Sequence, residues 1–142
     1  MTIAVDFDGT IVTHAFPEIG RPIPFAIQTL KKLQEEGHRL ILWSVREGQL
    51  LDDAVEYCRN QGIEFYAVNS NYPEEVPIEA PSQACRKLGV DMFIDDRNVG
   101  GLPEWGLIYK MIHERKGYEQ CLRELDDTEE EPVSFWQRLF GR

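Results

Sequence analysis

The stretch Thr2-Ile3-Ala4-Val5-Asp6-Phe7-Asp8-Gly9-Thr10 decides the fold. Its first half is apolar and partly β-branched, and Asp8-Gly9 is turn chemistry, so it reads as a buried strand ending at two carboxylates. Working outward, residues 24–36 place Ile27, Leu30 and Leu33 on one face, with Pro24 at the start and Gly37 just past the end, which predicts a helix. Arg39-Leu40-Ile41-Leu42-Trp43 is a second buried strand. Ser44-Val45-Arg46-Glu47 then has the S-x-x-E spacing of a capping box opening a helix to about Gln61, with Leu50, Leu51, Ala54, Val55 and Cys58 as its apolar stripe. Residues 64–68 read as a third strand, residues 69–81 as a polar loop and residues 82–88 as a short helix. Asp91-Met92-Phe93-Ile94-Asp95-Asp96 is a fourth strand, again ending in paired acids, and a helix over residues 104–114 follows. Such alternation predicts an α/β fold, a doubly wound three-layer parallel sheet, whose ligands bind beyond the carboxyl ends of the strands.

The chain has 142 residues, enough for one folded domain over residues 1–118. Residues 119–131 carry seven acids against Arg123 alone and read as a linker or a solvated helix, and residues 132–142 as a short amphipathic segment. In that segment Phe135, Trp136, Leu139 and Phe140 have three readings: docking on their own domain, a homo-oligomer or partner contact, and adhesion to a membrane surface. The net charge of −10 excludes a broad nucleic-acid surface. No apolar run is long enough for a membrane span, and the first residues lack the basic-then-apolar pattern of a secretion signal. Cys58, Cys85 and Cys121 are widely spaced without a C-x-x-C pair, which fits reduced thiols and a cytoplasmic protein.

Chemistry concentrates at the two strand ends. Asp6 and Asp8, two residues apart, project to the same side if the extended geometry continues. With Asp95 and Asp96 they make four converging acids, which would destabilise the fold unless a dication or a bound proton offset them, and hard oxygen donors with room for water point to Mg²⁺. Ser44 caps the second helix by its spacing with Glu47. A phosphate oxygen could lie at the same helix start, with Arg46 adding charge one turn away. His14, His38 and His113 show no metal spacing and receive no role. Asn69 and Asn71 fit a turn as readily as a substrate contact.

Asp6-Phe7-Asp8-Gly9-Thr10 resembles the D-x-D-G-T signature of haloacid dehalogenase (HAD) superfamily phosphatases. The order of further motifs over residues 1–116 is similar too: Ser44 after the second strand, Lys87, and Ile94-Asp95-Asp96-Arg97. Leu42-Trp43-Ser44-Val45-Arg46, together with Ala67-Val68-Asn69 and Ile94-Asp95-Asp96-Arg97, resembles a small capless branch of these hydrolases, and neither inter-motif gap has room for a cap domain. The resemblance implies a Mg²⁺-dependent phosphomonoester hydrolase in which Asp6 attacks phosphorus and Asp8 shuttles the proton. It also implies phosphate contacts from Ser44 and Lys87, with Arg86 as the neighbouring alternative to the lysine. The metal would be held by Asp6, the Asp8 carbonyl and the Asp95-Asp96 pair, with Asp95 direct and Asp96 linked through water. An open site would accept a phosphorylated small molecule or a protein-borne phosphate. The alternative is a non-catalytic module of the same fold that binds a phospho-ligand. A dehalogenase fits less well, because that chemistry needs neither Asp8 nor a metal.

Overall fold

The computed structural model describes residues 1–75 and 87–127. They form a small α/β protein in two compact units divided between Leu102 and Pro103, not near residue 118 where the composition shifts. The first unit holds β1 (Thr2–Val5), α1 (Ala26–Glu35), β2 (Arg39–Leu42), α2 (Gly48–Asn60), β3 (Ala67–Val68) and β4 (Met92–Ile94). Its four strands are all parallel, in the order β3-β2-β1-β4.

β1 lies in the middle because it is apolar on both faces: Ile3, Ala4 and Val5 are fully buried. On one face Ala4, Ile41 and Ala67 line up across three strands and join Leu88, with Trp43, Val90 and Phe93 packed against them. The ladder runs past the named strands, since Asp6 N–H donates to Ile94 O and Trp43 N–H to Val5 O, both at 2.9 Å. These bonds fix where the residues following each strand emerge.

Beyond β1 the chain coils tightly, with the amides of Thr10, Ile11 and Val12 all donating to Phe7 O. Val12 then bridges to Pro22, and Thr13 N–H donates to Arg21 O at 2.8 Å, so residues 14–20 form a loop closed at its base. The second unit holds α3 (Trp105–Glu114) and α4 (Tyr118–Asp126), which pack on each other. Lys116 joins them, bonding Glu114 at 2.7 Å and Glu124 at 2.8 Å.

Some boundaries differ from the sequence expectation. The third strand has only two paired residues, because the turn after α2 brings the chain to the sheet late, where Tyr66 N–H reaches Leu40 O. The second helix begins at Gly48, with Glu47 at its N-cap and no side-chain cap bond, so Ser44 does not cap it. The acidic stretch is helical through Asp126, with Cys121 buried, and residues 128–131 lie outside the described residues. Lys87 and Leu88 are not helical, and the rest of the helix expected over residues 82–88 lies outside the described residues, as do Arg86, Cys85 and the segment 132–142. Among the described residues no cap domain is inserted and no helix is long and apolar enough to cross a membrane.

Candidate functional site

In the order β3-β2-β1-β4 the chain steps from β1 to one side, then returns to place β4 on the other. The reversal falls between β1 and β4, where parallel sheets open a crevice beyond their strand ends. Asp6 follows β1 directly and Asp95-Asp96 follow β4 directly, so adjacent strands deliver three acids to one place. One carboxylate oxygen from each of Asp6, Asp95 and Asp96 lies within 4.8 Å of the others.

Thr10, fully buried, organises this cluster. Its hydroxyl accepts from Asp96 N–H at 3.1 Å and stands 3.2 Å from Asp6 Oδ2 and 3.3 Å from Asp96 Oδ1. His14 Nε2 lies 2.9 Å from Asp96 Oδ2. Burial and the neighbouring Asp95 charge push the Asp6 carboxyl up to about 7. Burial also works to raise Asp96, but bonds from His14, Asp6 and Thr10 outweigh it and hold that carboxyl below its ordinary value. Such an all-oxygen set, retaining a proton near neutral pH, suits a hard dication that would replace the proton.

Gly9 is required where it stands. Its φ is +84°, and a Cβ there would collide with His14 Nε2 and Asp96 Oδ2.

Asp8 is not part of that cluster. Its two oxygens accept from Arg46 Nε and Nη2, each at 2.7 Å, in a two-pronged pair. Arg46 is 1% exposed, and its remaining bonds run to Pro17 O at 3.0 Å and Glu18 O at 2.8 Å. Its guanidinium carbon sits over the rings of Phe7 and Phe16. The phosphate contact expected of Arg46 is therefore corrected. The guanidinium is turned inward by Asp8, ties the 14–20 loop to β1's end and has its donors largely occupied.

Ser44 is held by its backbone. Its N–H donates to Asn69 Oδ1 at 2.8 Å, and Asn69 Nδ2 returns a bond to Ser44 O at 2.9 Å. The Ser44 hydroxyl accepts from Arg46 N–H at 3.1 Å. A cavity of about 230 Å³ opens over these groups, lined by Asp6, Asp8, Trp43, Ser44, Val45, Asp95 and Arg97. That is below the ~300–1,000 Å³ typical of drug-sized ligands, so it suits a compact head group.

The structure thus brings Asp6, Asp8, Ser44 and Asp95 to one cavity, with Asp96 in the acid cluster beside it. It does not bring Lys87, which is exposed and lies outside that lining. Sequence reasoning quoted Thr10 and Arg97 inside motifs without giving either a role, gave His14 none, and left Asn69 between a turn and a substrate contact. The partners of His14 and Asn69 lie far along the chain, at Asp96 and Ser44.

Fold and site together define a small α/β protein with a metal-competent acid cluster at the strand ends of a parallel sheet. Comparisons with family models and with curated proteins find no match. Among solved structures the chain is similar to one described as the conserved protein coded by locus from Bacteroides thetaiotaomicron. The two are 64% identical, with a TM-score of 0.75, over 84% of this chain and 94% of the other. The chain belongs to the family of that conserved protein.

Proposed function

We propose that the protein is a Mg²⁺-dependent phosphomonoester hydrolase of the HAD type, with a doubly wound core and an open, capless site. The observation that carries this reading is the meeting of Asp6, Asp95 and Asp96 within 4.8 Å at adjacent strand ends, beside a cavity that Asp6 and Ser44 share. The reversal of strand order between β1 and β4 supports the doubly wound arrangement.

Asp6, Asp95 and Asp96 would hold the ion, which when bound would neutralise charge on the transferring phosphoryl group. Asp6 attacks phosphorus, forming an aspartyl phosphate and releasing the alcohol; water then attacks phosphorus and frees Asp6 and phosphate. Ser44 is positioned to donate its hydroxyl to a phosphoryl oxygen, because Asn69 fixes its backbone on both sides. Asp8 carries the proton to the departing alcohol and takes one from the attacking water. For that, one Asp8 oxygen must leave Arg46 during the cycle.

The same clamp on Asp8 favours a second reading, a phospho-ligand binding module without turnover. One assay decides between them: magnesium-dependent phosphate release from an aryl phosphate, compared with Asp6→Asn. The hydrolase reading expects release that Asp6→Asn abolishes. Equal rates from the two proteins would remove it.

A further inference from the structure

An anion entering this cavity meets Asp6, Asp8 and Asp95 on its walls; of the cations expected to receive it, Arg46 and Lys87 are elsewhere and Arg86 lies outside the described residues. Arg46 is committed to Asp8 and to the carbonyls of Pro17 and Glu18. Lys87 does not line the space. Among the described residues the cationic residue that does is Arg97, whose backbone N–H is fixed by Asp95 Oδ1 at 2.8 Å. That bond settles the turn after β4 and leaves the guanidinium exposed, with no bond or ion pair from it among the described residues. Ser44 and Arg97 reach the cavity from opposite sides of Asp6, from the ends of β2 and β4 respectively.

The geometry points to Arg97 as the residue that binds the substrate's phosphate, from the β4 side and opposite Ser44. This deepens the hydrolase reading and rests on it for the identity of the anion. Five N–H donors in a planar fork match phosphate oxygens, and the mouth of the cavity lets the side chain reach a ligand without displacing any partner. Trp43 and Val45 complete the wall on the β2 side, so the alcohol portion meets an apolar surface while the phosphate is gripped between Ser44 and Arg97.

The test is calorimetric titration of the full chain with inorganic phosphate in the presence of Mg²⁺. Wild type is compared with Arg97→Ala, Arg97→Lys and Arg59→Ala, the last an exposed arginine near the end of α2 that removes the same charge away from the cavity. Arg97→Ala is expected to weaken phosphate binding about tenfold or more, the loss of a charge-assisted bond. Arg97→Lys should recover part of the loss, and Arg59→Ala should match wild type. Unchanged binding in Arg97→Ala, an equal loss in Arg59→Ala, or no phosphate binding by wild type would each overturn the assignment. Absence of turnover with phosphate binding intact in wild type and lost in Arg97→Ala would sink the hydrolase reading while supporting the anion site.

Discussion

Arg46 and Asp8 are 38 residues apart in sequence and form a two-pronged ion pair whose arginine side chain has 0% exposure and whose carboxylate has 12%. A guanidinium taken wholly out of water stays in place only while its donors are met, and here one carboxylate and two loop carbonyls meet them. The pair therefore links the end of β1, the segment before α2 and the 14–20 loop.

Breaking that pair from either side should be costly. Asp8→Ala leaves a buried guanidinium without its counter-ion, and Arg46→Ala removes the group that ties the loop to the strand. Each is expected to lower the unfolding free energy by about 3–5 kcal/mol, measured by urea denaturation. A loss below about 1 kcal/mol in both variants would show that the pair behaves as a surface contact.

Stability should depend on pH through Asp6. Its carboxyl moves from 3.8 to about 7 on folding, so between those values the native state holds a proton that the unfolded chain has released. The contribution is present below 3.8 and is lost as the pH rises through about 7. The metal-free protein should lose stability across that window, and Asp6→Asn should flatten the slope. Thermal unfolding at stepped pH measures both.

Divalent ions should reverse that loss. A cation on the cluster competes with the Asp6 proton, so Mg²⁺ or Mn²⁺ should raise the melting temperature more at pH 8 than at pH 5.5. Asp95→Asn should remove most of the rise. Equal shifts at both pH values would argue that the ions act on the acidic surface at large.

Gly9→Ala should strain the turn beneath the cluster. The added methyl group meets His14 and Asp96 at a left-handed φ, so a loss of about 1–3 kcal/mol is expected. The same variant should weaken the metal-induced thermal shift, because Asp96 has to move.

Asn69→Ala should act on Ser44. It deletes a donor and an acceptor that together fix the Ser44 backbone, costing about 1–3 kcal/mol. It should also weaken phosphate binding relative to wild type in the same titration. Unchanged affinity would mean that Ser44 needs no such support.

The alternation of strands and helices was legible because it is local. Apolar runs such as residues 3–5 and 40–42, and the recurrence of Leu30 and Leu33, encode burial within a few turns of chain, although Ala26 is fully buried where the expected stripe had the half-buried Ile27. The acids at the ends of β1 and β4 were legible for the same reason, since each follows its strand directly. Ser44 was misread as a cap because S-x-x-E matches a box by spacing alone, while the helix starts only at Gly48, after an extended Glu47. Arg46 was misread because its position near a helix start says nothing of what lies across from it.

By itself the sequence determined which residues enter strands and helices and which acids stand at the strand ends, because hydrophobic periodicity and turn chemistry act over short distances. Only the tertiary structure decided that three of the four acids expected to converge would cluster, that Asp8 would face Arg46 instead, and that Arg97 would line the cavity. Those outcomes depend on strand order and on burial, and both arise when segments distant along the chain compete for the same partners in a space that water has left.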